Sequence, residues 1–97
     1  MVQKKVEPYI IVKKRDLRNL DNDFRLALWL SALKDYARRF KRDKFGYYRV
    51  PIDIIEADYG LYRVKIWRYN KELEDKGLII IDRTIRGGRT WMGFRFI

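Results

Sequence analysis

The 97-residue chain contains no cysteine and no histidine, and these two absences exclude several kinds of site. Without them there can be no disulfide, no zinc site with thiolate or imidazole ligands, no Cys-His dyad and no Ser-His-Asp triad. Ser31 is the only serine. A hydrolase would need carboxylates with a metal ion, or a lysine or tyrosine nucleophile, and these are minority strategies. We therefore expect a protein that is not an enzyme and that uses no cofactor or metal.

The sequence also lacks a long hydrophobic run. No apolar stretch approaches the roughly 20 residues that a membrane helix needs. The first residues, MVQKKVEPYIIVKK, lack the apolar region and the small-residue cleavage site of a secretory signal. The length is that of one small domain, and 47% apolar residues are enough for a single core. We expect an intracellular protein that binds no membrane.

Acidic residues are few compared with basic ones: 13 Asp and Glu face 23 Lys and Arg, which gives a formal net charge of +10. The net charge is +4 over residues 1 to 20, −1 over 21 to 37, +5 over 38 to 49, −3 over 50 to 60 and +5 over 61 to 97. A surface charged only for solubility intersperses its signs, so this clustering favours a face that binds a polyanion. The alternative is a solubilising surface, and the abundance of Lys, Arg, Glu, Ile and Tyr also suits a heat-adapted protein.

Residues 1 to 20 are predicted to form an N-terminal arm or edge strand, and residues 21 to 97 the main domain. The segment VEPYIIV at residues 6 to 12 has a strand-like composition, but Pro8 restricts it to an edge strand or an extended arm.

A helix is predicted from residue 22 to residue 41. Asp21 or Asn22 can act as the N-cap, with Asp23 in the first turn, and the basic run RRFKRDK at its end suits the helix dipole. That run is either a phosphate-contacting helix end or a plain solvated terminus. The apolar residues recur at helical spacing but cover more surface than a simple surface helix needs. The helix is either a central core helix or one that also binds a second subunit through Phe24, Leu28 and Trp29.

Shorter elements are predicted between residues 45 and 77. FGYYRVP indicates a turn and a short strand, and Pro51 is placed for the first turn of a brief helix that ends before Gly60. LYRVKIWRYNKELEDK indicates a longer helix that turns Ile66 and Leu73 toward the core, with Gly77 as its C′ residue.

The final segment, IIIDRTIRGGRTWMGFRFI, predicts a β-hairpin with Gly87 and Gly88 in a two-residue primed turn. This register places most of the apolar side chains on one sheet face, and a slip of one residue would spoil the separation. It pairs Arg86 with Arg89, Ile85 with Thr90, Arg83 with Met92, Ile81 with Phe94 and Ile79 with Phe96.

This order of elements, together with YGLYRVKIWRYNKELEDKGLIII, resembles a winged helix-turn-helix domain. In that family pattern Gly60 and Leu61 make the turn, Ile66 and Leu73 anchor the second helix, and KGLI leads into the wing. The resemblance implies an α+β fold of three helices plus a C-terminal two-stranded β-hairpin wing, with the N-terminal arm outside it. Asn70 departs from the pattern, which usually has an aliphatic residue there, and Tyr69 is expected to fill that space.

The resemblance further implies a recognition helix at about residues 61 to 76 in the major groove of DNA. It also implies a wing at residues 78 to 97 that reaches the minor groove or phosphates. With Ile66 and Leu73 turned inward, Arg68 lies on the outer face and is the candidate for contact with base edges, while Lys65 and Lys71 are expected to meet phosphates. The candidate DNA-binding residues are Arg63, Val64, Lys65, Trp67, Arg68, Lys71, Arg83, Arg86, Gly87, Gly88 and Arg89.

Each of these residues also has a purely structural interpretation. The helix cations can be ordinary exposed charges that pair with nearby acids, and the glycines can serve the turn alone. Trp67 and Trp91 can close the rim of the core instead of stacking on a base.

The function expected first is that of a transcriptional regulator that binds double-stranded DNA as a homodimer. A non-specific architectural or replication-associated DNA binder is the alternative, and the composition resembles that of small winged-helix proteins of mobile elements and viruses of hot-environment archaea. We expect a cytoplasmic location, in the host cell if the protein is viral. Two further alternatives are a winged helix that binds an acidic protein and a metal-dependent nuclease that uses Glu74, Lys76 and a carboxylate from Asp53 or Asp58.

Overall fold

A computed structural model describes residues 13 to 20 and 23 to 97, which form an α+β domain. This part of the chain contains four helices and a three-stranded antiparallel sheet. None of these helices is both long enough and apolar enough to cross a lipid bilayer. The elements in chain order are α1 (Lys14–Asn19), α2 (Phe24–Arg39), β1 (Tyr48–Pro51), α3 (Ile52–Tyr59), α4 (Arg63–Asp75), β2 (Ile79–Arg86) and β3 (Arg89–Phe96).

The sheet has the strand order β1-β3-β2, so the last strand of the sequence is the central one. The β2–β3 hairpin has the predicted register at every position, from Ile79 opposite Phe96 to Arg86 opposite Arg89. Gly87 and Gly88 have φ angles of 61° and 77°, and the requirement for positive φ at both positions explains a Gly-Gly turn. The hydrophobic pattern and the turn together therefore specified this register correctly.

The core lies between one face of the sheet and the helices α2, α3 and α4. It contains the fully buried side chains of Met92 and Phe94 from β3, Ile66 and Leu73 from α4, and Tyr36 from α2. The Tyr36 hydroxyl donates a 2.6 Å hydrogen bond to Asp58 Oδ2, and burial raises its pKa. The hydroxyl therefore stays protonated as a donor.

The helix ends follow the predicted chemistry at most positions. Leu78 N donates to Leu73 O and Gly77 N to Glu74 O, which is a Schellman motif with Gly77 at the C′ position. Gly60 ends α3 in the left-handed conformation. The N-cap of α2 is Asp23, whose carboxylate accepts from two backbone N–H groups, so its expected place in the first turn is wrong by one position.

Two features of the fold differ from the sequence prediction. The expected two-stranded sheet has a third strand, because β1 pairs with the free edge of β3 from Tyr48 opposite Phe94 to Pro51 opposite Trp91. An unpaired β3 would leave a row of backbone groups without partners, and β1 satisfies them.

The second difference lies in the predicted N-terminal arm. Residues 14 to 19 are helical rather than extended, and Asp16 and Leu20 are buried. The Asp16 carboxylate accepts a 2.8 Å hydrogen bond from Lys34 of α2, which ties α1 to the core helix. The strand-like segment at residues 6 to 12 lies outside the described residues.

A buried polar contact joins α2, α4 and β3. Asn70 is 1% exposed; its Oδ1 accepts from Trp29 Nε1 at 2.8 Å, and its Nδ2 lies 3.1 Å from Met92 Sδ. The expectation that Tyr69 fills this space is therefore wrong. An amide is present because the buried indole N–H needs an acceptor.

Replacing Asn70 by Leu is expected to lower the free energy of unfolding by about 1–3 kcal/mol, because the Trp29 indole N–H would stay buried without a partner. Urea unfolding would measure this change. Trp29→Phe removes the donor, so the double variant Trp29→Phe/Asn70→Leu should lose less stability than the sum of the two single variants. Additive losses would contradict this role of the hydrogen bond.

Candidate nucleic-acid interface

Helix α4 turns one face into the core and the opposite face to solvent. Ile66, Asn70 and Leu73 are buried, as the predicted anchors require. Val64 is 68% exposed, and Arg68 lies one turn further along the same outer face. The middle of this face is therefore open to a partner.

The cations of α4 divide into paired and unpaired groups. Arg63 Nε lies 3.4 Å from Glu56 Oε1 of α3, and Lys71 Nζ lies 3.1 Å from Asp75 Oδ1. Lys65 and Arg68 are exposed and have no carboxylate partner among the residues that the structure describes. The contact predicted for Lys71 therefore has an intramolecular competitor, whereas Arg68 has none.

Trp67 connects α4 with the hairpin. The guanidinium of Arg83 lies 5.2 Å from the centre of the Trp67 ring, a cation–π contact between α4 and β2. Trp67 is half-buried and packs against the core cluster. Of its two interpretations, the structure matches the one in which the indole closes the rim of the core, and Arg83 covers the ring.

The hairpin tip carries Gly87 and Gly88 in open surroundings. A Cβ atom at either glycine would meet no heavy atom within 4 Å, so their conformation and not crowding calls for glycine. Arg86 and Arg89 face each other across the turn. By strand alternation Arg83 lies on the opposite face of the hairpin from these two, so the three arginines do not form one cluster.

Arg89 is held by two neighbours. Its Nη2 lies 3.0 and 3.1 Å from the two oxygens of Asp53 at the start of α3, and its guanidinium lies 5.7 Å from the Trp91 ring centre. Arg89 holds the pKa of Asp53 below its usual value, so the pair is charged at neutral pH and is lost only as the pH falls through that lowered value. Arg86 has no carboxylate partner within the described residues.

The face of α2 predicted to bind a second subunit is partly open. Phe24 is 58% and Leu28 is 40% exposed, and they lie one turn apart. Trp29 is 3% exposed and belongs to the core, so little of it is left for a partner. Next to Leu28 lies an apolar pocket of about 170 Å³ between α2, α3 and α4, lined by the rings of Tyr59 and Tyr69.

The carboxylates considered for a nuclease are separated in the structure. Asp53 binds Arg89, Asp58 accepts from Tyr36, and Glu74 Oε2 accepts from Ile81 N at 3.3 Å. No group of three or more acidic side chains in the described ranges is placed to hold a metal ion.

Sequence reasoning missed the ion pairs that α3 makes with α4 and with the hairpin tip. Asp53 and Glu56 both bind arginines that were expected to meet DNA. A signal was present, because the segment from residue 50 to 60 has a net charge of −3 between two basic segments. Its partners could be identified only from the fold.

Asp53→Asn is expected to raise the affinity for duplex DNA and to steepen its salt dependence by about one counterion, because Arg89 becomes free to meet a phosphate. Fluorescence anisotropy over a salt series would measure both. In an Arg89→Gln background the substitution should have a much smaller effect. An equal gain in both backgrounds would show that Asp53 acts only through general repulsion.

No protein-family model, no curated protein and no solved structure matches this chain.

Proposed function

We propose that the protein is a winged-helix protein that binds double-stranded DNA. The observation that carries the proposal is the exposed outer face of α4, where Lys65 and Arg68 have no carboxylate partner among the described residues. The order of α2, β1, α3, α4 and the β2–β3 hairpin, with β1 on the edge of the sheet, is compatible with a winged helix.

In this proposal α4 enters the major groove, which is wide enough for a helix. Arg68 contacts base edges, because an unpaired guanidinium can bond to guanine O6 and N7 together. Lys65 and, after release from Asp75, Lys71 meet phosphates. The acidic end of the helix, with Glu74 and Asp75, points away from the DNA.

The hairpin is the proposed wing. Arg86 at its tip has no carboxylate partner among the described residues, and the open glycines let the backbone approach a phosphate ridge or a minor groove closely. Arg89 also contacts the DNA once the DNA displaces Asp53 from it. The Trp67–Arg83 contact supports the proposal because it couples the position of the wing to that of α4.

We further propose that the protein recognises sequence and acts as a transcriptional regulator. Val64 supports this choice over a phosphate-only binder: it is an exposed apolar residue one turn before Arg68, where it can contact a thymine methyl group. A surface that contacted only phosphates would gain nothing from an apolar side chain at that place.

The test combines a selection of binding sites from random duplexes with two variants. Arg68→Ala should lose about 5- to 150-fold in preference for the selected site over random duplex, because one bidentate pair is worth about 1–3 kcal/mol. Arg86→Ala should weaken binding to both duplexes equally and lower the salt slope by about one.

Arg38→Ala is the matched control, since it removes the same charge from an arginine that is paired with Asp35 on α2. Failure to select any preferred sequence at physiological salt would leave the non-specific alternative. Equal losses from Arg68→Ala and Arg38→Ala would remove α4 as the contact surface.

We also propose a homodimer formed through α2. Phe24 and Leu28 form an exposed apolar strip next to the apolar pocket, and a two-fold axis there would let the strip of each copy meet the pocket of the other. Such a pair would present two copies of α4 to successive turns of DNA.

Leu28→Glu is expected to convert the dimer to a monomer in light scattering, because a carboxylate would be buried without a partner at the contact. Ile54→Glu is the control, since Ile54 of α3 is similarly exposed, at 38% against 40% for Leu28. A wild-type protein that is monomeric at high concentration would contradict the proposal.

A further inference from the structure

The basic run at residues 38 to 44 divides into two parts. Arg38 and Arg39 share the carboxylate of Asp35 within α2, so one of these two charges is compensated and both side chains are paired. Lys41, Arg42 and Lys44 follow the helix and are exposed, with no carboxylate partner in the described residues. The proposed duplex-binding face does not use them.

Asp43 fixes the shape of the loop between α2 and β1. Its Oδ1 accepts from Phe45 N at 2.8 Å and from Tyr47 N at 2.9 Å, while its Oδ2 accepts from Arg49 Nε at 2.7 Å. These contacts, with the hydrogen bond of Arg49 first, lower the pKa of Asp43, so the carboxylate is fully ionised at neutral pH. The loop has a fixed shape without help from Phe45.

Phe45 is nevertheless displayed on the outside of this loop, with 64% of its surface exposed. Lys44 Nζ lies 5.3 Å from the centre of its ring. An exposed aromatic side chain on a fixed loop contributes little to the core. The ring face that Lys44 does not cover is available for stacking at little cost in ordering.

Arg95 of β3 adds a further cation beside Phe45. Its Nη1 lies 3.4 Å from Phe45 O, and its guanidinium lies 5.2 Å from the ring centre of Tyr47. Arg95 and Arg42 line a pocket of about 410 Å³ whose walls include the rings of Tyr48 and Phe96. Aromatic and cationic groups therefore meet in one concave place.

This surface is far from the hairpin tip. Arg95 pairs with Ile80, six residues before Arg86 on β2. At about 3.3 Å per residue the separation along the strand is about 20 Å. Because neighbouring phosphates of a strand are much closer together than this, the tip and this surface would contact different nucleotides.

We propose that Arg42, Lys44, Phe45 and Arg95 form a second site, which binds a single strand of nucleic acid. Phe45 stacks on an unpaired base, and the three cations meet the flanking phosphates. The pocket between Tyr48 and Phe96 has room for a neighbouring base. A single strand fits better than a duplex, because the base faces of a duplex are already stacked and Phe45 could not use them.

The test uses fluorescently labelled oligo(dT) of about 12 nucleotides and measures anisotropy at low and moderate salt. Phe45→Ala should lower its affinity by about 5- to 30-fold through the loss of one stacking contact, and Phe45→Trp should keep or raise it. Arg42→Gln should lower the affinity and reduce the salt slope by about 0.7, the value for one phosphate of a single strand.

Two matched controls test whether the losses of affinity come from this site and not from net charge or exposed apolar surface in general. Arg38→Gln removes one charge from the paired part of the same basic run, and Ile54→Ala removes an exposed apolar side chain from α3, which takes part in none of the proposed contacts. Both should bind oligo(dT) as the wild type does. Thermal unfolding of each variant checks that the fold is kept.

The proposal is overturned if Phe45→Ala binds oligo(dT) as well as the wild type. It is also overturned if Phe45→Ala and Arg42→Gln weaken duplex binding as much as oligo(dT) binding, since the surface would then contact duplex phosphates. Arg68→Ala should leave oligo(dT) binding unchanged. This result is independent of the α4 proposal, which can fail on duplex binding alone.

Discussion

Strand β3 is hydrogen-bonded on both edges, and the register of its pairing with β1 positions both charged ends of the sheet. Pairing of Pro51 with Trp91 brings the start of α3 beside the hairpin tip, which is why Asp53 reaches Arg89. The other end of β1 lies beside Arg95, so the cationic loop before it meets that residue. The four residues of β1 thus place Asp53 at the hairpin tip and the cationic loop beside Arg95 at the opposite end of the sheet.

On the outer face of the sheet between these ends, the charged side chains of Arg49 and Asp82 bind each other. Arg49 crosses β3 over Gly93 and binds Asp82 at 2.8 Å and Thr84 at 2.8 Å on β2. A Cβ at Gly93 would lie 2.7 Å from Arg49 Nη1, so any other residue here would displace the guanidinium from its present path. Because Asp43 and Asp82 are both used by Arg49, the excess positive charge remains at the two ends.

Local patterns predicted the hairpin and the helix ends well, because their causes lie within a few residues. Positive φ at Gly87 and Gly88, with alternating apolar residues on both sides, leaves one register that buries a single face. The pairing of the predicted short strand with β3, and the helix α1, were missed because each depends on a distant partner. Four residues ending in Pro51 have weak strand character until the free edge of β3 is available to them.

The amino-acid sequence by itself determined the α+β class, the order of elements from α2 to β3, the inward face of α4 and the excess of positive charge. Only the tertiary structure decided which of those charges are free. Arg89 and Arg63 are bound by acids of α3, whereas Arg68 and Arg86 have no such partner in the described part of the chain. The physical reason is that ion pairing depends on distances of a few ångströms between residues far apart in sequence, and strand register sets those distances.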